Sequence, residues 1–316
     1  MRARYLFLML VLTLVSVEAG AQYDVHFTHY WEVDNFYNPA AMNKDSRLHI
    51  VATYSKQFAG YTNSPGAMFA GVNTVLPWGE GHQSAGICLL NESLGLFTHR
   101  RMLVNYAFKF KLKHSTINVA AQIGLMNEGF NTSELDLLDP DDPAFPTGNE
   151  NGSGIDFGAG LYWQRGIFYV GLSGQHLNSP IVTYGKDNGK NAELKIDPSF
   201  YFQGGCNIQL RNPLLSVQPG IQVATDLGNV RCDITARASY QFQSNSLYGG
   251  LTYCPGTSVT FLVGGKVREV QVGYAYEMFT NGIGLQYGSH DIVLGYSLNV
   301  NFFKKGKNIH KSVRYL

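Results

Sequence analysis

The sequence predicts an all-β protein, namely a transmembrane antiparallel β-barrel of about fourteen strands. Three observations predict it: long stretches of strict apolar/polar alternation, a low content of charged residues, and short connections at every second position. In the last stretch six apolar side chains share one parity from Ile292 to Phe302. Soluble strands usually have about five or six residues in total, whereas a tilted strand of about 9–11 residues crosses a bilayer.

The composition agrees with a membrane barrel. Charged residues make up 15 % of the chain and aromatic residues 13 %, with 35 glycines, whereas soluble domains carry about 25 % charged residues. The net charge of +1 gives no overall field that would attract nucleic acid. We therefore expect outer-membrane lipid as a partner and no nucleic acid.

Residues 1–21 have the pattern of a signal peptide. Arg2 and Arg4 precede an apolar run over residues 5–17, and Ala19 and Ala21 form a small-residue cleavage site. We expect export and a mature chain that begins at Gln22. No later stretch is apolar enough for a membrane-spanning helix, so we expect strands to be the segments that cross the membrane.

The mature chain divides into three predicted parts. Residues 22–45 form a polar and aromatic segment that could plug the lumen, residues 46–303 form the barrel, and residues 304–316 form a short basic tail. The predicted strands are 46–57, 66–77, 83–92, 101–113, 115–127, 154–165, 167–176, 198–210, 213–225, 230–242, 246–254, 257–265, 268–278 and 290–303. Glycines such as Gly158 and Gly160 within one strand would give the lumen room.

The connections predict the orientation of the barrel. The long ones, 131–153, 177–197 and 279–289, all follow odd-numbered strands, and the even-numbered ones are short. Outer-membrane barrels have short periplasmic turns and longer outer loops. This predicts the outer membrane of a Gram-negative bacterium, with both termini periplasmic.

The tail carries five basic residues and no acidic one: Lys304, Lys305, Lys307, Lys311 and Arg314. Five positive charges can steer an acidic partner. The tail is therefore a candidate partner-binding site, although a solvated end and a tail folded back into the barrel remain open.

Charged side chains on the polar parity are predicted to face the lumen. They could select anions, or they could pair with one another and with the N-terminal segment. They are Arg101, Lys109, Lys111, Arg231, Arg237, Asp156, Asp233, Glu269 and Glu277.

No pattern predicts catalysis or a cofactor. The chain lacks a GxSxG nucleophile elbow, a phosphate-binding glycine loop and zinc-ligand spacing. Residues 134–142 gather five carboxylates, which favours either a calcium site or a solvated outer loop. We expect no enzyme, no catalytic residues, no metal and no cofactor.

Five short blocks of the chain form a distinctive series: 26–30, 36–40, 272–277, 288–296 and 311–316. The opening blocks lead to Asn38, Pro39 and Ala40. In order and spacing the blocks resemble the PorP/SprF family of outer-membrane proteins of the type IX secretion and gliding machinery, although Met42 and Asn43 follow where many members have Ala-Gly. The resemblance implies a non-enzymatic accessory barrel that associates with a periplasmic ring lipoprotein or protein, a peptidoglycan-binding lipoprotein and a secreted adhesin as cargo.

The expected function is therefore to scaffold periplasmic partners of the secretion machine and to support secretion or surface attachment of a large adhesin. The first alternative is a plugged transport barrel for hydrophobic or small solutes, because fourteen strands can enclose a passage. The second is a soluble adhesion protein of β-sandwich type.

Overall fold

The computed structural model describes residues 24–42, 45, 47–78, 82–131, 149–184, 192–281 and 287–299. The predicted signal peptide, the acidic loop 134–142 and the basic tail 304–316 lie outside these residues. So do residues 300–303 of the last predicted strand. Within the described residues, no helix is long and apolar enough to cross a membrane.

Fourteen strand positions close into one antiparallel barrel within the described residues. The strands are β1 (Leu48–Lys56), β2 (Gly66–Val75), β3 (Gln83–Leu94), β4 (Phe97–Lys111), β5 (Thr116–Asn131), β6 (Asn149–Arg165), β7 (Phe168–Gln175), β8 (Ile181–Tyr184), β9 (Ala192–Lys195), β10 (Ser199–Cys206), β11 (Ile208–Gln209), β12 (Leu215–Thr225), β13 (Val230–Phe242), β14 (Asn245–Cys254), β15 (Ser258–Val267), β16 (Val270–Phe279) and β17 (Ser289–Leu298). The sheet runs from β10 through β7 to β1 and on through β17 to β12, and pairing of β10 with β12 closes it. β11 continues the line of β10 along β12.

Side chains alternate between an apolar outer face and a polar inner face. On β4, Met102 and Val104 are exposed while Arg101 and Asn105 are buried. The same alternation recurs on β5, where Ile123 is exposed. A barrel with this pattern turns its apolar side chains to lipid and its polar ones to the lumen.

The predicted barrel of about fourteen strands is confirmed. Several strand bounds differ, for example β6, which begins at Asn149 and not at residue 154, and two differences concern whole segments. A separate hairpin of β8 and β9 lies within the connection predicted at 177–197. Its strands have four residues each, too few to show a period. The last strand was predicted to reach residue 303, but it ends at Leu298 and Asn299 is not in a strand.

The two ends of the barrel differ. The connections 57–65, 176–198 and 280–288 lie at one end, here called the long-connection end. Two-residue turns such as 166–167, 243–244 and 268–269 lie at the other end, here called the short-connection end.

Residues 24–42, here called the inner segment, lie against the inner face of the barrel. The segment contains a one-turn helix, α1 (Asp34–Tyr37), and a 3-10 turn, Pro39–Ala41. Phe27, Phe36 and Tyr37 are buried together with Phe69 and Leu103 of the wall. The centroids of the Phe36 and Phe69 rings lie 5.3 Å apart, so the core of this protein lies inside the barrel.

Candidate functional site

The inner segment follows the lumen from one half of the barrel to the other. Asp24 contacts Arg101, four residues from the start of β4 at the long-connection end. At its other end, the carbonyl oxygens of Ala40 and Met42 accept hydrogen bonds of 3.0 and 3.1 Å from Asn118 Nδ2. Asn118 lies near the start of β5, at the short-connection end. The inner segment thus runs through the lumen from the half near the long-connection end to the half near the short-connection end.

Asp24 is the centre of a buried ionic cluster. Its carboxylate lies 3.0 Å from Arg101 Nη1 and 3.2 Å from His176 Nε2. The Tyr201 hydroxyl donates to it at 2.5 Å. Arg101 also bonds Asp156 at 3.1 Å, and His176 Nδ1 lies 3.1 Å from the same carboxylate. Ion pairs buried to this degree hold their partners in one geometry, since losing either partner leaves a charge without compensation.

A second ionic cluster holds the segment two residues further on. His26 Nε2 lies 3.1 Å from Asp233, which also bonds Arg231. Arg231 reaches Glu277 at 2.9 Å. Thr28 adds a third anchor, because both its backbone N–H and its hydroxyl donate to Asp291, at 2.7 and 2.5 Å.

The Asn-Pro-Ala turn is fixed by backbone and glycine contacts. Asn38 Nδ2 donates to the carbonyl oxygens of Leu161 and Leu172 at 3.1 and 3.3 Å, and its Oδ1 accepts from the Ala40 N–H at 2.9 Å. A Cβ at Gly160 would overlap Asn38 Oδ1, and one at Gly171 would lie 2.8 Å from Asn38 Nδ2. The two glycines of β6 and β7 therefore make the room in which Asn38 lies.

The remaining predicted lumen charges occupy different surroundings. Arg237 faces inward, with its guanidinium 3.8 Å from the centre of the Trp31 ring of the inner segment. Lys109 is half-buried on the inward parity of β4, and Lys111 is exposed at the end of that strand. The prediction for Glu269 was wrong: it is exposed in the turn between β15 and β16, because β16 begins only at Val270.

A polar cavity of about 270 Å³ opens at the short-connection end. Trp31, Glu32 and Asp34 of the inner segment line it, together with Arg47 and Lys266. We call this cavity the mouth.

Asp45 at the rim of the mouth is tied to two basic side chains. It accepts from Arg47 Nη2 at 2.7 Å and contacts His49 Nε2 at 2.6 Å. Burial alone would raise the pKa of the Asp45 carboxyl, but the hydrogen bonds from His49 and Arg47 outweigh it and hold the pKa well below its usual range. The mouth therefore keeps acidic and basic groups side by side.

Asp24, Gln175 and His176 are among the residues of these contacts that the sequence did not single out. Asp24 follows the predicted cleavage site and has no period around it, Gln175 ends a strand, and His176 belongs to a connection. Gln175 accepts from Arg101 at 2.6 Å and donates to the Phe36 carbonyl oxygen at 2.6 Å. Gln175 could have been identified from the sequence, because it is a polar residue at an inward position at the end of a strand.

Solved structures resemble the barrel in fold. The toluene transporter TbuX of Ralstonia pickettii is 12% identical, with a TM-score of 0.51, and the alignment covers 89% of this chain and 95% of that chain. The toluene transporter TodX of P. putida is 10% identical, with a TM-score of 0.48, and the alignment covers 83% and 92%. These likenesses concern the fold alone.

No curated protein matches the sequence. The family described as type IX secretion system membrane protein PorP/SprF matches residues 19–296, which include the inner segment and almost the whole barrel. The chain therefore belongs to the PorP/SprF family, and it is an outer-membrane β-barrel component of the type IX secretion system.

Proposed function

We propose that this component of the type IX secretion system is a filled, non-enzymatic barrel that scaffolds partners of the machine. The observation that carries the proposal is the inner segment. Its aromatic side chains are buried inside the barrel, and Asp24, His26 and Thr28 bond strands on several sides of the wall. A lumen filled by well-anchored side chains favours a rigid structural part over an open pore.

The mouth is the proposed place where the scaffold meets its periplasmic partners. Short turns are typical of the periplasmic side of outer-membrane barrels, so the short-connection end is assigned to the periplasm. There the mouth offers Glu32, Asp34, Arg47 and Lys266 in one cavity. The candidate partners are those implied by family membership: a ring lipoprotein or protein, a peptidoglycan-binding lipoprotein and a secreted adhesin.

Affinity purification with a tag in the 132–148 connection tests this assignment. Lys266→Glu reverses a charge at the mouth, and we expect it to lower recovery of periplasmic partners. Lys195→Glu is the matched control, because Lys195 is exposed at the opposite end and pairs with Asp197 at 3.5 Å. If both variants recover the same amount of periplasmic partner, the mouth does not bind these partners.

The basic tail provides a second test of partner binding. Deleting residues 304–316 removes five positive charges and no predicted strand. We expect weaker partner association with normal assembly of the barrel in the outer membrane. If partner association is unchanged after the deletion, the tail does not bind partners and the mouth remains the only proposed contact.

Single-channel conductance separates the scaffold from a transport barrel. The likeness to a toluene transporter concerns the fold alone, so transport stands as the alternative. The intact protein is expected to be silent in a planar bilayer. A steady pore in the intact protein would favour transport and would overturn the filled scaffold.

A further inference from the structure

A row of four polar side chains crosses the outward face of β3 to β6. The strand register places Asn91 opposite Arg100, Arg100 opposite Asn127, and Asn127 opposite Ser153. We call these four residues the polar row. The next outward row towards the middle of the barrel is apolar and exposed: Leu89, Met102, Leu125 and Ile155. The polar row thus lies where the apolar band ends.

The side chains of the polar row bond one another in two pairs. Arg100 Nε donates to Asn91 Oδ1 at 3.2 Å, and Asn127 Nδ2 donates to Ser153 Oγ at 3.1 Å. None of the ion pairs formed among the described residues includes Arg100. The guanidinium therefore presents a positive charge and further N–H groups to the surroundings of the barrel.

A groove of about 420 Å³ lies between these side chains on the lipid-facing surface. All four residues of the polar row line it, and Leu89, Met102 and Leu125 continue it into the apolar band. One end of the groove is thus cationic and rich in hydrogen-bond donors, whereas the other is apolar. A lipid with an anionic headgroup and an acyl chain has the matching distribution of charge and apolar surface.

We propose that the polar row and this groove bind a phosphate-bearing lipid, with the phosphate at Arg100 and an acyl chain along Leu89, Met102 and Leu125. Arginine presents a planar fork of donors that matches phosphate oxygens. An arginine on the lipid face of a barrel destabilises the barrel only slightly when it lies near the membrane interface, where the lipid headgroups are. The proposed orientation places the row in the outer leaflet, so the lipid is the phosphorylated glycolipid of that leaflet, lipid A.

The experiment measures binding of bisphosphorylated lipid A to the detergent-purified protein by native mass spectrometry. Dephosphorylated lipid A is the ligand control. We expect the wild type to bind the phosphorylated form about tenfold more tightly, as for one charge-assisted contact. Arg100→Gln should remove that preference, and Arg100→Lys should restore part of it.

Arg165→Gln is the matched protein control, since Arg165 is an exposed arginine at the opposite end of β6. It should bind phosphorylated lipid A like the wild type. Heat-dependent gel mobility reports that each variant forms a closed barrel. Equal preference for phosphorylated lipid in wild type and Arg100→Gln would overturn the proposal.

A further outcome would also overturn the proposal. If the Arg100→Gln variant still binds lipid A but no longer self-associates, or no longer co-purifies with another protein, the groove binds a protein partner. The lipid assay uses the isolated barrel. Its failure is therefore distinguishable from failure of the scaffold function, which is read from partner recovery.

Discussion

Substitution of Gly160 by alanine tests how the Asn-Pro-Ala turn is held in the lumen. Gly160 faces inward on β6, and an added Cβ would overlap Asn38 Oδ1 and lie 3.1 Å from Pro39 Cδ. Neither a strand backbone nor a proline ring yields easily, so the turn either stays in place under strain or moves away from the wall. The matched control is Gly249→Ala on β14, where a Cβ would meet only the Leu262 carbonyl oxygen, at 3.8 Å.

The expected cost follows from the contacts of Asn38. If the turn stays in place, overpacking costs about 1–3 kcal/mol. If it moves away, Asn38 loses its hydrogen bonds to the Leu161 and Leu172 carbonyl oxygens of the wall, at about 1 kcal/mol each. Both routes give a loss of about 1–3 kcal/mol in the free energy of unfolding for Gly160→Ala, whereas Gly249→Ala should stay within about 0.5 kcal/mol of the wild type.

Two measurements follow the effect. Urea-induced unfolding in micelles gives the free energy, and hydrogen exchange over residues 36–42 reports whether the turn has left the wall. Faster exchange of this stretch in Gly160→Ala alone would support the reasoning. Identical unfolding and exchange in both glycine variants would refute the role assigned to Gly160.

Two further predictions concern charges. Arg101→Gln leaves Asp24 and Asp156 buried without their arginine, so we expect a loss of about 3–5 kcal/mol in the free energy of unfolding. The control Arg165→Gln changes an exposed arginine and should change this free energy little. A loss below about 1 kcal/mol for Arg101→Gln in urea unfolding would contradict the role assigned to the ion pairs. The pKa of Asp45 is lower in the folded protein than its usual value, so its contribution to stability is present above about pH 4 and is lost as pH falls through the folded-state pKa. Asp45→Asn should therefore lose less stability than the wild type on acidification from about pH 5, and parallel stability profiles would contradict this.

The strand pattern was readable from the sequence because a membrane barrel imposes one constraint on every strand. Lipid requires apolar side chains at each outward position, and the period of two makes that visible in a single sequence. The predicted strands at 230–242 and 213–225 accordingly match β13 and β12 within two residues. The four-residue strands β8 and β9 were missed because they form a separate sheet, are not strands of the barrel wall and carry no such constraint.

The sequence also placed polar side chains on the inner parity, but it did not determine their partners. Arg101 meets Asp24 across 77 positions of sequence, and Thr28 meets Asp291 across 263. Such pairs depend on where the inner segment crosses the lumen, and this is set by the packing of Phe27, Phe36 and Tyr37.

The sequence by itself thus determined the barrel, the approximate position of its strands and which face most of their side chains take, because alternation and connection length are local properties. Only the tertiary structure decided that Gly160 and Gly171 make room for Asn38 and that Asp24 is the centre of an ionic cluster. The closed barrel brings these residues together, and closure is a property of the whole sheet that no single stretch of sequence carries.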